Sequence, residues 1–267
     1  MSSQFTLENL VKKLRTEVQD KWHPEGRVGN DGSAGNTLED LLGVEENNLR
    51  IPDWGEIELK TKQEKSSSLV TLLHREPQPS AVVPKLIKAL GWAHANAGAK
   101  YGLNEMSFRS TTQANMASDR GFQIVFGDGR VQFIFDPSKV ATDKKDRTKQ
   151  YATYGDWLKD VESRSPHYSD LFPVFWEQEF LENELIKKLD KTLFVVAKAK
   201  KIGGIRHFKY ETAVLLKDFD SSKFQSIFEE KGLYIDFDAR TNHNHGTKVR
   251  IDVRKIRHLF KSSVEIF

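Results

Sequence analysis

The densest chemistry in this sequence lies in one short run, Pro52-Asp53-Trp54-Gly55-Glu56-Ile57-Glu58-Leu59-Lys60. Read as a strand from Glu56 to Lys62, it sends Glu56, Glu58 and Lys60 to one face and Ile57 and Leu59 to the other. Gly55 permits a bend, so Asp53 swings onto the charged face from the preceding turn. Two carboxylates and an ammonium group on one face suit phosphodiester hydrolysis. The transition state gathers negative charge, and a hard divalent cation held by two carboxylates relieves it. In this reading Asp53 and Glu58 ligate Mg²⁺ and the Leu59 carbonyl supplies a third oxygen. Lys60 sits by the attacking water, which it orients or, with a lowered pKa, helps to deprotonate. The competing reading is an amphipathic edge strand with alternating charge on a solvated face.

The elements that must position this run are legible in outline. Leu7, Leu10, Val11, Leu14 and Val18 recur at helical spacing, with Thr6 as N-cap, so residues 6–20 read as an amphipathic helix. Residues 24–36 hold four Gly and read as a loop. Thr37 then caps a short helix, 38–42, that stops at Gly43. Residues 68–73 form a second strand, and the stretch after Pro84, KLIKALGWAHA, reads as helix. Residues 122–126 and 131–135 form a hairpin around Gly127-Asp128-Gly129. Residues 137–170, charged and holding Ser, Pro and Tyr, read as a linker or peripheral excursion. A helix over 175–190, a buried strand over 193–199, a turn at Gly203-Gly204 and a strand near 205–215 follow. Helix 222–230, strand 233–238, loop 239–246, strand 247–253 and helix 254–260 complete the chain. Strands and helices mix without regular βαβ alternation. That favours an α/β chain of the α+β type, a mixed sheet flanked by helices, over a doubly wound fold.

Composition bounds the function class. The chain has 267 residues, 30% charged and 10% aromatic, enough to bury a core without staples. It has no Cys, which excludes a disulfide scaffold, a zinc ribbon and a thiol nucleophile, and fits a reducing interior. The N-terminus shows no signal-peptide pattern and no run approaches a membrane span. The expected location is the cytoplasm. Net charge is only +3, yet residues 198–261 hold 15 Lys/Arg against 8 Asp/Glu and four of the eight His. An uneven basic region suggests a polyanion partner. Lys198, Lys200, Lys201, Arg206, Lys248, Arg254, Lys255 and Arg257 are its candidate phosphate contacts, each also readable as a solvated charge.

The same residues carry a resemblance. Pro52-Asp53 with Glu58-Leu59-Lys60 resembles the PD-(D/E)xK nuclease signature. The wider window, Gly43-Val44-Glu45-Glu46-Asn47-Asn48, then Asp53-x-Gly-Glu-x-Glu-Leu-Lys60, then Leu69-x-Thr-Leu-Leu-His74, resembles the MvaI/BcnI family of restriction endonucleases. Asn242-His243-Asn244-His245-Gly246-Thr247 with Arg250-Ile251 is similar to that family's recognition segment. The likeness is dense over roughly 35–75 and 190–255 and loose over 95–190.

The resemblance implies a restriction-endonuclease-like fold, a single domain over 1–267 in two lobes that clamp DNA. Residues 35–140 would form the catalytic part, and 190–267 the part carrying a recognition loop at 236–250. It implies a type II enzyme that cuts double-stranded DNA at a short, GC-rich, near-palindromic site, acting as a monomer and leaving 5′-phosphate ends. Mg²⁺ would be the cofactor, Mn²⁺ would substitute, and Ca²⁺ would support binding without cleavage. A cognate methyltransferase would protect host DNA without forming a stable complex. Asp53, Glu58 and Lys60 take the catalytic positions. Glu39 matches an acidic position on a helix that supports the metal site, although in the first turn of helix 38–42 a carboxylate also suits the helix dipole. Glu56 lies too close to Asp53 for the family pattern and ranks as a supporting or surface residue. The alternatives are a MutH-like enzyme that nicks one strand in mismatch repair, and a catalytically silent DNA-binding module.

For base reading, His74 matches a base-contacting histidine in one branch of the family, and imidazole both donates and accepts. His243 and His245 admit base reading, metal ligation or ordinary loop polarity; without Cys or further ligands the pair makes no structural zinc site. Arg250 could pair with guanine, and Asp236, Asp238 and Arg240 join the candidate set, carboxylates being acceptors for cytosine N4. A relative that reads a central A·T pair carries Arg at the position of Asp238, and the segment from Ala239 to His243 is shorter here, so the site sequence is not transferable.

Overall fold

The computed structural model describes residues 5–27, 32–44 and 52–267. Residues 45–48 of the motif above and 28–31 of the Gly-rich loop lie outside the described residues. The described strands are β1 (His23–Pro24), β2 (Glu58–Gln63), β3 (Val70–His74), β4 (Trp92–Ala93), β5 (Met106–Thr112), β6 (Arg120–Gly127), β7 (Arg130–Val140), β8 (Val174–Glu177), β9 (Lys191–Ile202), β10 (Ile205–Phe219), β11 (Leu233–Arg240), β12 (His243–Ile251) and β13 (Phe260–Glu265). The α-helices are α1 (Leu7–Lys13), α2 (Ser33–Leu42), α3 (Val82–Leu90), α4 (Tyr154–Arg164), α5 (Gln178–Leu189) and α6 (Phe224–Glu229). The architecture is the α+β mixture expected: mixed sheets flanked by helices. The chain forms two compact units, one of residues 1–70, 183–223 and 253–267, the other of 71–182 and 224–252.

The first unit is built on a sheet in the order β1-β10-β9-β2, with β13 added to β10. Strand β2 lies at the end of that order and runs parallel to β9, with Glu58 opposite Thr192 and Lys60 opposite Phe194. The N-terminal helix begins as expected, Thr6 accepting from the Asn9 N–H at 3.2 Å, and its last turn, Leu14–Val18, widens to a π-helix. Leu10, Leu14 and Val18 recur every fourth residue and are fully buried against Leu59, Leu193 and Val195. Helix α2 corrects the sequence reading. It starts at Ser33, not at a Thr37 cap, because Ala34, Leu38 and Leu42 make one apolar stripe that enters the core. Thr37 is buried inside the helix and accepts from the Gly26 N–H.

The second unit holds a sheet in the order β3-β12-β11-β5-β4 and a three-stranded sheet β6-β7-β8. Its core is aromatic. Phe108 meets Phe122, Phe133 and Phe237 at centroid distances of 5.3–6.1 Å, mostly edge to face. The β6–β7 hairpin turns on Asp128-Gly129, both with positive φ, as the sequence indicated.

Residues 137–170 are no linker. β7 runs to Val140, and Tyr154, Trp157 and Val161 on α4 are buried. Arg120 ties the segment down: its guanidinium bonds Asp146 at 2.9 Å and lies over Trp92, Tyr154 and Trp157 at 4.0, 4.9 and 5.2 Å. The expected helix 175–190 is a strand up to Glu177, where Val174–Glu177 pairs with β7, and a helix only from Gln178. Helix α3 ends at Leu90, and Trp92–Ala93 form a strand instead. The final turn, Val253–Leu259, is 3₁₀ rather than α and leads into β13.

Candidate functional site

The turn before β2 gathers the acidic groups. Trp54 and Ile57 exchange both backbone hydrogen bonds at 2.8 and 2.9 Å around Gly55 and Glu56. Gly55 has φ +61°, and a Cβ there would sit 2.7 Å from the Phe5 carbonyl oxygen, so only glycine fits. Trp54 is buried beneath the turn and donates its indole N–H to the Thr6 carbonyl. The bend carries Asp53 back over the strand, where its Oδ2 accepts from the Leu59 N–H at 2.9 Å.

Glu56 departs from the sequence reading. It belongs to the turn, not to the strand face, and its exposed carboxylate pairs with Lys191. The face shared with Glu58 and Lys60 instead continues to Lys62, which donates to Ser68.

Glu58 is the most constrained member. Only 1% of its side chain is exposed. Its Oε1 receives the Lys60 ammonium and also the Lys188 ammonium from α5 at 3.4 Å. Its Oε2 is buried and takes no hydrogen bond among the described residues. Burial pushes the Glu58 carboxyl above its ordinary range; Lys60 opposes this, Asp53 adds to it, and Lys188 opposes it. The structure thus brings Asp53, Glu58 and Lys60 together, and adds Lys188, which the sequence reading missed.

A divalent ion fits this donor set. In an extended strand a residue's N–H and C=O leave on the same edge, so the Leu59 carbonyl points to the edge that Asp53 caps. An unpartnered buried carboxylate oxygen beside a second carboxylate and a carbonyl is an oxygen-rich, anionic cradle. Among the described residues no three Asp, Glu, His or Cys side chains form a cage by themselves. Mg²⁺ is commonly bound through one or two carboxylates and keeps several waters, so two carboxylates suffice.

Glu39 lies near the strand's other face. A Cβ on Gly35 would meet Glu39 Oε1 and Thr61 Cβ, each at 4.0 Å, which sets the Glu39 carboxylate close to Thr61. It falls in the second half of α2, so the helix-dipole explanation given for it does not apply.

The residues expected to read DNA gather on the sheet of the second unit. The expected loop 239–246 is instead a tight hairpin. β11 and β12 pair up to Arg240 opposite His243, leaving Thr241-Asn242 as the turn. Alternation breaks at His245-Gly246, two residues opposite the single Asp238, and that bulge hides the strand in the sequence. Gly246 has φ +87°, and a Cβ there would lie 3.2 Å from His74 Nδ1. His74, at the end of β3, therefore stands beside the bulge.

Leu233, Ile235, Phe237 and Ala239 on β11 are buried, and the alternate positions present Asp236, Asp238 and Arg240 on the opposite face. Asp236 binds Arg250 at 2.9 Å and the Thr111 hydroxyl at 2.7 Å. Asp238 binds Lys248 at 2.9 Å and Arg109 at 3.0 Å. Burial pushes the Asp238 carboxyl up, but its bond from Lys248 and the charges of Lys248 and Arg109 outweigh that and hold it below the usual range. Arg240 turns into Glu105 at 2.7 Å and over Tyr101 at 4.2 Å. Glu105 also receives the Asn242 backbone and amide N–H groups, latching the hairpin turn. His243 and His245 are exposed, with rings 4.2 Å apart. Burial, then the charges of His243, Arg109 and Lys248, lower the His245 pKa despite Asp238, so that imidazole stays neutral near pH 7.

Several candidate phosphate contacts carry partners: Lys198 holds Glu211, Arg206 holds Glu25, and Lys200 lies over the Trp22 ring at 4.0 Å. Among the described residues no helix is long and apolar enough to cross a membrane.

A carboxylate pair with a lysine on the end strand of a mixed sheet, and a polar β-hairpin face on a second sheet, define a nuclease of the restriction-endonuclease class. The family comparison agrees across nearly the whole length. The chain belongs to the MvaI/BcnI restriction endonuclease family, whose model matches residues 11–260, including the middle segment that resembled it only loosely. It is accordingly an endodeoxyribonuclease. A solved structure of restriction endonuclease MvaI in complex with its cognate DNA substrate is similar to it, with TM-score 0.74 and 21% identity over 100% of both chains. MvaI in the absence of DNA is similar at TM-score 0.51 and 22% identity, over 100% of this chain and 99% of that one. A search of curated proteins found no match.

Proposed function

We propose that this chain is a Mg²⁺-dependent type II restriction endonuclease that hydrolyses double-stranded DNA as a monomer at a short, GC-rich, near-palindromic site. Mn²⁺ substitutes for Mg²⁺, and a cognate methyltransferase protects the host DNA inside the same cell. The observation that carries the reading is the buried Glu58 Oε2, without a hydrogen-bond partner among the described residues, beside Asp53 at the edge where the Leu59 carbonyl emerges. Asp53, Glu58 and Leu59 hold the ion, which when bound relieves the negative charge that builds on the scissile phosphate. Lys60 stands within reach of the same centre and orients the attacking water, its ammonium group fixed by Glu58. Lys188 is a second cation on Glu58 and balances that carboxylate's charge when no ion is bound. Glu39, on α2 near Thr61, supports the metal site as the family resemblance implies.

His74, His243, His245 and Arg250, with Asp236, Asp238 and Arg240, supply the base-reading surface. A two-stranded ribbon fits the major groove, and the polar face of β11 and β12 has that form. The MvaI complex with its cognate DNA supports duplex DNA as the ligand.

The test is a supercoiled plasmid assay with the purified protein and Mg²⁺. Linear product with 5′-phosphate ends at a fixed sequence is expected. Open circles alone, at long times, would point to a strand-nicking enzyme instead. Asp53→Ala and Lys60→Ala each abolish cleavage while DNA binding in Ca²⁺ persists; full cleavage by either variant removes the assignment.

A further inference from the structure

Arg109 lies on β5, a strand that supplied none of the residues singled out from the sequence. It stands directly opposite Asp238 in the β5–β11 register. Its neighbours Phe108 and Ser110 are buried, so Arg109 projects on the polar side of the sheet with Asp238. The contact runs from Arg109 Nε to Asp238 Oδ1 at 3.0 Å, while Asp238 Oδ2 takes Lys248 at 2.9 Å. One carboxylate holds two cations, one on each oxygen.

The ion pair keeps the guanidinium beside Asp238. The two terminal amino groups keep their donors, with no protein acceptor among the described residues. Exposure singles this side chain out. Arg109 is 53% exposed, whereas Arg250 is 24% and Arg240 18%, each engaged by a carboxylate through a terminal amino group. An arginine paired with a carboxylate on one side and open at its terminal amino groups matches a planar pair of acceptors. A phosphate is the rival occupant, since Arg109 and Lys248 together outweigh Asp238, and the salt slope below separates the two. The edge of a guanine is neutral and presents O6 and N7 side by side.

We propose that Arg109 is a specificity-determining residue that reads one guanine of the site through O6 and N7 in the major groove, with Asp238 as its positioning residue. This rests on the DNA-cleaving reading above. Asp238 then serves by holding Arg109 and Lys248 rather than by meeting a base itself, and β5 joins β11 and β12 as part of the reading surface.

The experiment maps the wild-type site, then measures Ca²⁺-supported binding and Mg²⁺ cleavage on duplexes carrying each single base-pair change. Arg109→Ala should lose about 5- to 100-fold of discrimination at one G·C pair and change the others little, with an unaltered salt slope. Arg109→Lys keeps the charge opposite Asp238, guarding against misfolding, and should lose the same preference because it lacks the fork. Asp238→Asn should lose part of it at the same base pair. Uniform weakening on every duplex, with the salt slope reduced by about 0.9, identifies a phosphate contact and overturns the proposal. So does an unchanged preference in Arg109→Ala. If the wild-type protein cuts no DNA, the function itself fails; if it cuts and Arg109 variants keep its preference, only this inference does.

Discussion

Lys188 and a divalent ion are rival counter-ions for one carboxylate, and this makes a sharp prediction. Glu58 is almost wholly buried, and Lys188 approaches its Oε1 to 3.4 Å with 19% of its own side chain exposed. Coulomb's law puts that attraction at about 1 kcal/mol in a water-like medium and about 5 kcal/mol at an effective dielectric of 20. Lys60 shares the same oxygen and Lys188 is partly solvated, so a net value of ~1–2 kcal/mol is expected. A bound divalent cation supplies the same compensation, so Lys188 contributes less in the loaded state. By linkage, Lys188→Met should then tighten binding of Mg²⁺ or Ca²⁺, by roughly tenfold for ~1.4 kcal/mol. Isothermal titration of the DNA-free protein at constant ionic strength measures it, with Lys188→Arg as the charge-retaining control. Unchanged or weaker ion binding in Lys188→Met would refute the reasoning, since Lys188 would then be holding the site in shape rather than competing for it.

Three further outcomes follow from other features. Gly246→Ala forces a left-handed residue and a 3.2 Å approach to His74, so it should cost about 1–3 kcal/mol and degrade site preference; an unaltered melting temperature with unaltered preference would contradict the bulge. Burial pushes the Asp146 carboxyl up, but bonds from Thr148 and the charge of Arg120 outweigh it and hold it below the usual range. Its stabilisation is therefore full above the unfolded value, near pH 4, and is lost as pH falls through the lowered one. Asp146→Asn should remove that acid-dependent part and, by leaving the caged Arg120 unpaired, destabilise the second unit by about 3–5 kcal/mol at pH 7, read by tryptophan fluorescence. Glu105→Gln frees Arg240 and the Asn242 turn and should speed amide exchange at 240–243 without altering the catalytic strand; equal exchange would show the latch is idle.

The reactive trio was legible because it is local. A glycine turn and two-residue alternation place Asp53, Glu58 and Lys60 with no help from distant sequence, and the fault was confined to Glu56, which lies in the turn two residues before the strand. Lys188 and Arg109 were not legible, because each meets its partner through tertiary packing of elements far apart in the chain. Elsewhere, glycine and charge misled. Gly32 and Gly35 hid the Ala34-Leu38-Leu42 stripe, and Gly246 broke the alternation that would have revealed β12. The charged segment 137–170 concealed Tyr154, Trp157 and Val161, whose helical spacing outweighs its composition.

The parallel pairing of β2 with β9 has a consequence for the cell during synthesis. Glu58 is flanked in the sheet by Thr192, and its second cation arrives with Lys188. A ribosome adding about 5–20 residues per second needs roughly 7–27 seconds to travel between them. Throughout that interval the acidic strand lacks its sheet partner β9. A half-made chain therefore has the acidic strand without its sheet partner or its second cation, and the catalytic edge is complete only once most of the chain exists.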